Sequence, residues 1–232
     1  MIKLYDLAGI DPNIRFSLYC WRTKMSLAHK DLEFETIPWR FTEKERISQT
    51  GQGKVPVLLD GDSFVYDSFD IAVYLDKTYA DRPPLMLGHG AKAAAVFMRA
   101  WCDTQLLASL CELVIKDVHS SLTEQDQAYF RETREQRFGK SLEELCNNRP
   151  GALKRVKQTL MPVEQTLSVN EYIGGQSPNF TDFILFGSLM WAHVICTDPP
   201  LDSETKVSVW FNSLLDMYGG LGRQAPTVRD QR

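Results

Sequence analysis

Residues 54–76, KVPVLLDGDSFVYDSFDIAVYLD, contain two short apolar segments, a turn between them and the start of a helix. Segments 55–59 and 64–66 are separated by the turn sequence DGDS, which is typical of a β-hairpin. Ser68 then opens a pattern in which apolar residues recur on one face at helical spacing. The stretch therefore predicts a strand–turn–strand–helix unit.

The sequence before this unit alternates between strand and helix patterns. Residues 2–7 alternate at period two and predict a strand, and residues 17–30 have helical composition. Residues 32–38 are a second strand candidate, followed by a polar segment of helical potential at 42–48. The order strand, helix, strand, helix, strand, strand, helix predicts a small α/β domain of thioredoxin type.

The alternation ends after the proline-rich segment 82–84, and the rest of the chain has helical patterns. These patterns cover residues 91–120, 123–147, 154–169, 179–196 and 204–218. The polar tail after residue 222 is expected to fray. We predict an α/β thioredoxin-like domain over residues 1–82 and an all-α domain over residues 88–232.

Composition and charge exclude several kinds of partner. The 232 residues carry a formal net charge of -4 without a basic run, so neither nucleic acid nor an anionic membrane is an expected partner. Residues 1–12 lack the apolar core of a signal peptide, and the longest apolar stretch, 183–196, is too short to span a bilayer. The five cysteines and four histidines lack disulfide or metal-site spacing. We expect a cytoplasmic protein without a metal site.

Pro56 lies inside a segment that otherwise resembles a central strand, where a proline would remove a ladder hydrogen bond. A cis Val55–Pro56 peptide would turn the Val55 amide and carbonyl outward, where they could pair with an extended ligand. A trans proline at the start of an edge strand is the alternative.

Asp67 and Ser68 end a predicted strand and open a helix, so backbone N–H groups, a hydroxyl and a carboxylate converge there. A zwitterionic amino-acid head group would fit, with its carboxylate on the N–H groups and hydroxyl and its ammonium facing Asp67. The alternative is that the pair only caps the helix.

Ser17 lies at the predicted first turn of its helix, where redox proteins of this layout carry the first cysteine of Cys-x-x-Cys. A thiolate there would receive a hydroxyl hydrogen bond and the positive end of the helix dipole. Lowering a thiol pKa by about two units is worth roughly 2.7 kcal/mol, within reach of those two effects. Ser17 could thus activate a thiol that arrives with a ligand, or it could only cap the helix. Cys20, at the second position, is expected to be a buried small hydrophobe.

The three features together describe one ligand. An amino-acid end at Asp67 and Ser68, a backbone-paired centre at Val55 and a thiol at Ser17 correspond to extended glutathione.

Other candidates depend on that ligand's position. Arg40, Gln52 and Lys54 could reach the glycine carboxylate, although exposed basic residues are more often solvated surface. A second group could line an aromatic pocket between the domains, although each member taken singly fits the core better: Trp101, Leu106, Cys111, His119 and His193.

The segment order, V-P before the hairpin, D-S opening a helix and SPNFTDF at 177–183 resemble the cytosolic glutathione transferase superfamily. In that superfamily the motif at residues 179–182 forms a buried capping box. Further matches resemble the bacterial lignin β-etherase group and its fungal relatives, the etherase-related fungal-specific class: SLYCWRTKMSLAHK, DSFDIAVYLDKTYADRP, REQRF, IGGQSPNFTDF and YGGLGR. The bacterial etherases carry a long C-terminal extension that this sequence lacks, which favours the fungal class.

The resemblance implies the glutathione transferase fold and a conjugating or thiolytic transferase. Ser17 would be the catalytic residue, glutathione the co-substrate, and hydrophobic aromatic compounds, xenobiotic or wood-derived, the substrates. It also implies a homodimer, with the helix that begins near residue 91 as the contact. A non-catalytic ligandin that binds aromatic molecules beside glutathione is the alternative.

Overall fold

A mixed sheet lies within residues 2–66 of the computed structural model, which describes residues 1–231. Its four strands are β1 (Ile2–Leu7), β2 (Phe34–Trp39), β3 (Val57–Asp60) and β4 (Ser63–Tyr66), in the order β2-β1-β3-β4. β2 is parallel to β1, whereas β3 is antiparallel to both β1 and β4. The predicted strands and the predicted hairpin are confirmed, with ends shifted by one or two residues.

Two helices, α1 (Leu18–His29) and α2 (Ser68–Thr78), complete this sheet domain. The helical domain follows, with helices α3 (Gly88–Trp101), α4 (Leu107–Ser120), α5 (Glu124–Phe138), α6 (Leu142–Leu145), α7 (Arg149–Leu167), α8 (Phe180–Ile195) and α9 (Lys206–Gly220). The predicted fold class, a thioredoxin-like α/β domain followed by an all-α domain, is confirmed. The polar segment predicted at 42–48 is a 3-10 helix, Lys44–Thr50.

Two predicted helices are interrupted. The single helix expected over residues 123–147 is wrong, because Gly139 ends α5 in the left-handed conformation, with φ of 65°. Ser141 then starts α6 with its own capping box. The helix expected over residues 91–120 contains a π-helical turn, Cys102–Leu106, between α3 and α4.

The expectation that the tail after residue 222 frays is also wrong as far as residue 231. Arg229 donates to the carbonyls of His193 at 2.8 Å and Cys196 at 2.6 Å, at the C-terminal end of α8. These contacts satisfy carbonyls that a helix end leaves without intrahelical partners. Thr227 is buried in the same segment.

Helix α8 is the centre of the core, and α1, α3 and α4 pack against it. Nearly all of its residues are buried, as expected for a helix that is apolar on every face. A Cβ atom at Gly187 would lie 2.4 Å from the Leu18 carbonyl oxygen, so this glycine permits the close approach of α1. None of the helices within residues 1–231 has the combined length and apolarity to cross a membrane.

A buried capping box holds the start of α8, as the motif predicts. The Asn179 side chain accepts a hydrogen bond from the first turn, and the Asp182 carboxylate accepts one from the Asn179 amide at 3.1 Å. The same carboxylate accepts hydrogen bonds from the Ile173 and Gly174 amides at 2.8 and 3.0 Å and from the Trp210 indole at 2.9 Å. Asp182 therefore ties the preceding loop and α9 to the start of α8.

We expect Asp182→Asn to lower the free energy of unfolding by about 2–3 kcal/mol, because one of the two carboxylate oxygens becomes an amide donor facing buried N–H groups. Urea denaturation of the variant and the parent measures the difference. Asp81→Asn, at an exposed aspartate, serves as the control. A loss below about 0.5 kcal/mol, the usual range of neutral surface changes, would contradict the assigned role of Asp182.

Candidate functional site

Ser17 is the N-cap of α1, as the sequence predicts. Its backbone is extended, with φ of -66° and ψ of 119°, and its hydroxyl oxygen accepts a hydrogen bond from the Cys20 amide at 3.2 Å. The side chain is only 6% exposed. The hydroxyl also interacts with the Cys20 thiol: burial raises the pKa of that thiol, and this interaction lowers it. The hydroxyl proton can be donated instead to an anion placed before the helix. That anion would also lie at the positive end of the helix dipole.

Cys20 lies one turn deeper and is fully buried. Its sulfur is 3.8 Å from the Tyr5 carbonyl oxygen. Burial, followed by the negative charge of Asp6, raises the pKa of the Cys20 thiol well above its ordinary value. The expectation that Cys20 is a buried, unreactive thiol agrees with this environment.

The segment before β3 and the segment after β4 lie side by side at one end of the sheet, where these two strands begin and end. The Val55–Pro56 peptide is cis, the first of the two alternatives that the sequence left open. Val57 pairs with Tyr66 in the antiparallel ladder. The same register, continued by two residues, places Val55 opposite Ser68 at this end of the sheet. Within residues 1–231, the Val55 amide and carbonyl form no hydrogen bond.

Ser17 lies at this end of the sheet as well. Tyr5 pairs with Val57, and the Tyr5 carbonyl contacts the sulfur of Cys20, three residues after Ser17. The structure therefore brings three of the predicted features, at Ser17, Val55 and Ser68, to one end of the sheet. Helix dipole, hydroxyl and backbone donors converge there.

Asp67 and Ser68 divide their roles at the start of α2. The Asp67 carboxylate accepts hydrogen bonds from the Phe69 amide at 2.8 Å and the Asp70 amide at 3.4 Å, so it caps the helix. Ser68 is 3% exposed, and neither its amide nor its hydroxyl has a hydrogen-bond partner in the described part of the chain. These two donors remain open for a ligand carboxylate.

Arg99 of α3 is a site residue that sequence reasoning missed. Its guanidinium donates to both oxygens of the Asp67 carboxylate, at 3.3 and 3.0 Å. Asp67 has a positive φ of 66°, which is uncommon for a residue with a side chain. The bidentate pair holds this carboxylate in one orientation. The one sequence signal for Arg99 was its i, i+4 spacing to Asp103.

The ion pairs continue from Arg99 into the core. The Arg99 guanidinium lies 3.9 Å from Asp103, and Asp103 accepts from Arg22 of α1 at 3.2 Å. Arg22 is fully buried and also donates to the Ser188 hydroxyl of α8 at 3.3 Å. The start of α2 is therefore connected electrostatically to the helix that Ser17 caps.

The predicted basic residues have different surroundings. Arg40 donates to the carbonyls of Gly9 and Ile10 at 3.2 and 3.4 Å, and to Glu43. Its guanidinium therefore holds the loop that precedes α1. A Cβ atom at Gly9 would lie 2.3 Å from the Ser121 carbonyl oxygen, so the same loop also rests against the end of α4. Ligand contact by Arg40 stays a prediction.

Gln52 shapes the segment before the cis proline. Its amide donates to the Lys54 carbonyl at 2.7 Å and accepts from the Lys54 amide at 2.8 Å. The Lys54 side chain itself is exposed. An open cavity beside Gln52 also contains Lys44, which sequence reasoning missed. A ligand carboxylate at this end would meet Lys44 and Lys54.

The aromatic pocket suggested between the domains is formed only in part. Leu106 is fully buried, whereas Trp101, Cys111 and His119 are half-buried. His193 instead lines a cavity formed by α8, α9 and the segment between them, to which the described residues of the sheet domain contribute nothing. Burial and nearby arginine charges lower the pKa of His193 to about 4.

Comparison with known proteins identifies the family. Residues 12–83 match the family described as glutathione S-transferase, N-terminal domain, and residues 93–213 match glutathione S-transferase, C-terminal domain. The chain therefore belongs to the glutathione S-transferase family.

Individual relatives are more distant. The chain is 28% identical to the glutathione S-transferase-like protein ustS of Aspergillus flavus over 141 residues. This matched region covers 55% of this chain and 50% of that protein. It thus spans half the length of this relative. A glutathione S-transferase of Hyoscyamus muticus is 26% identical over 206 residues, covering 84% of this chain and 87% of the relative.

Solved structures share the fold over nearly the whole chain. A glutathione S-transferase of Ceriporiopsis subvermispora, crystallised with glutathione, has a TM-score of 0.82 at 22% identity, covering 94% of this chain and 96% of its own. Glutathione transferase GSTFuA2 from Phanerochaete chrysosporium has a TM-score of 0.75 at 25% identity, covering 99% of this chain and 96% of its own.

Two of the cysteine thiols, those of Cys111 and Cys146, are expected to react slowly with Ellman's reagent in the native protein, because burial raises the pKa of both, that of Cys111 to about 11. Cys111 and Cys146 are partly exposed, whereas Cys20, Cys102 and Cys196 are buried. The absorbance change of native and denatured protein counts the reactive thiols. Replacing Cys111 and Cys146 with alanine should remove the native reaction. A further native thiol that disappears in Cys20→Ser would contradict the assignment of Cys20 as inaccessible.

Proposed function

We propose that this protein is a glutathione transferase with a serine-type active site. The observation that carries the proposal is the set of donors at one end of the sheet: the Val55 amide and the Ser68 amide and hydroxyl, which are unpaired, and the Ser17 hydroxyl at the start of α1. Buried or half-buried polar groups are normally paired, so an open set of this kind fits a polar ligand. Membership of the glutathione S-transferase family indicates that the ligand is glutathione.

Extended glutathione has a group for each of these donors. Its γ-glutamyl carboxylate would accept from Ser68, and its ammonium would face the Asp67 carboxylate, shared with Arg99. Its cysteinyl backbone would pair with Val55 as an added strand does. The glycine carboxylate of glutathione would lie near Gln52, Lys54 and Lys44.

Ser17 would bind the sulfur of glutathione as a thiolate. The hydroxyl donates to the sulfur while its oxygen accepts from the Cys20 amide, and the dipole of α1 adds a positive potential. The thiol proton leaves to solvent, and the thiolate attacks an electrophilic carbon of the second substrate. A carbon–sulfur bond forms and the leaving group departs with its electron pair. In ether thiolysis, that group is an aryl or alkyl oxide.

We propose hydrophobic aromatic compounds as the second substrates. Aromatic rings occur where the sheet domain meets α5: the Phe41 ring centre lies 5.6 Å from that of Phe130 and 6.2 Å from that of Tyr129. Fungal structural relatives and the motif resemblance favour the etherase-related fungal-specific class, and the lack of signal-peptide character in residues 1–12 favours a cytoplasmic location. The alternative is a ligandin that holds such compounds without turnover.

We expect Ser17→Ala to lower kcat/KM with a chlorodinitrobenzene electrophile about tenfold, the rate equivalent of roughly 1.4 kcal/mol, because the variant loses the hydroxyl donor and keeps the helix dipole. Losing the hydroxyl donor raises the pKa of the bound thiol. The pH at which the rate reaches half its maximum should therefore be higher in the variant than in the parent. Steady-state rates against pH measure both effects. Ser63→Ala, at an exposed serine of β4, serves as the control.

Further variants separate the enzyme from the ligandin. Ser17→Cys should lower transfer and introduce deglutathionylation, because a cysteine can form a mixed disulfide with glutathione. Cys20→Ser should change neither activity. If the parent turns over no electrophile and Ser17→Ala retains affinity for aromatic ligands, the ligandin alternative is correct.

We also propose a homodimer with α3 as the contact. Exposed apolar side chains gather on and beside this helix: Leu87 is 78%, Phe97 is 69% and Val96 is 51% exposed. Such a surface is typical of an interaction face. Arg99, on the same helix, would then connect the interface to Asp67.

Phe97→Glu should shift the protein from dimer to monomer in light scattering at micromolar concentration, because a carboxylate would be buried without a partner. Val169→Glu, at an apolar residue 80% exposed outside α3, should leave the dimer intact. A parent protein of monomer mass would overturn the proposed assembly.

A further inference from the structure

Two arginines of α5, Arg134 and Arg137, lie one helical turn apart, and neither has an acidic partner. Arg134 donates a single hydrogen bond, to the Thr133 hydroxyl at 2.8 Å, and its guanidinium lies 4.5 Å from the ring centre of Phe130. Arg137, one turn later, lies 5.5 Å from the ring centre of Phe138. Its guanidinium has neither a hydrogen bond nor an ion pair with any residue up to 231.

Acidic side chains are present nearby, but they pair elsewhere. Arg131, one turn before Arg134, binds Glu135 at 2.8 Å and Glu143 at 2.9 Å. Burial lowers the pKa of Arg134; Tyr129 opposes this shift, and the positive charge of Arg137 adds to it. Two neighbouring guanidinium groups without a counter-charge repel each other, and an anion between them would relieve this repulsion.

The arginine pair borders the contact between the two domains. The Arg134 guanidinium lies 5.1 Å from the ring centre of Phe41, which follows β2 in the sheet domain. Arg137 acts electrostatically on Tyr19, two residues after Ser17: burial and Asp103 raise the Tyr19 pKa, whereas Arg22 and Arg137 oppose that rise. Arg134 therefore contacts an aromatic ring of the sheet domain, and the charge of Arg137 is felt at Tyr19 in the helix that Ser17 caps.

We propose that Arg134 and Arg137 bind the anionic group of the second substrate, and that this substrate is an aromatic carboxylate. A guanidinium presents paired N–H groups in the geometry of a carboxylate, and most of these donors are unused in Arg134 and Arg137. The ring of the substrate would pack against the aromatic side chains around Phe41. The inference rests on the proposed function, since it names the class of electrophile that meets the thiolate.

A matched pair of electrophiles tests the proposal: chloronitrobenzoate and the neutral chloronitrobenzamide. Both carry the same leaving group, and they differ in the group that would face the arginines. We expect Arg137→Gln to raise KM for the benzoate about tenfold, as for a lost charge-assisted hydrogen bond, and to leave KM for the benzamide unchanged. Arg137 is exposed, so the substitution should not disturb folding. The KM for glutathione should also stay unchanged.

Two controls keep the result specific. Lys154→Gln removes an exposed positive charge from α7 and should affect neither electrophile. Arg134→Lys keeps the charge but loses the planar fork, so it should weaken the benzoate less than Arg137→Gln does. Thermal unfolding confirms that each variant is folded. Equal effects on benzoate and benzamide, or no effect on either, would overturn the proposal.

A binding measurement separates failure of this inference from failure of the proposed function. Titration calorimetry gives the dissociation constants of nitrobenzoate and nitrobenzamide with and without glutathione. Preference for nitrobenzoate that is lost in Arg137→Gln supports the arginine site even if no electrophile is turned over. Turnover of both electrophiles without such a preference supports the transferase and overturns the arginine site.

Discussion

The buried Asp182 carboxylate is the interaction on which the rest of the structure depends. It accepts four hydrogen bonds, from three backbone amides and the Trp210 indole, at the start of α8. Burial raises the pKa of Asp182, whereas those donors favour its ionised form. Because α1 packs closely on α8 at Gly187, the cap that holds α8 also determines where Ser17 lies.

The candidate site is built from both domains, although its ligand-facing donors come from the sheet domain. Arg99 of α3 orients Asp67, and the ion pairs through Asp103 and Arg22 continue to α8. The loop before α1 rests against the end of α4, where Ile10 donates to the Ser121 carbonyl at 2.8 Å. A change in the helical domain therefore reaches the serine through packing and through charge.

Asp182 and the open donors of the site differ in whether their hydrogen-bonding groups are satisfied. Asp182 uses its acceptors fully, as a buried carboxylate must. Ser68, in contrast, keeps an open amide and hydroxyl, and Arg137 keeps its guanidinium without a counter-charge. Open donors in a folded protein are stabilised when a ligand supplies the missing acceptors, so these positions indicate where ligands bind.

Local interactions allowed the sequence by itself to determine the hairpin, the cap at Ser17, the capping box at Asn179 and the domain order, because turns and caps depend on residues two to four positions apart. The glutathione transferase fold was also predictable from motifs, whereas the choice between a cis and a trans Pro56 was left open by the sequence. Only the tertiary structure decided that Arg99 binds Asp67, 32 residues away, and that Arg40 holds the loop before α1. The sequence also did not predict the contacts of the C-terminal segment with α8, the end of α5 at Gly139 or the arginines of α5 without acidic partners. Their energies depend on contacts between distant segments, which helical or strand periodicity does not encode.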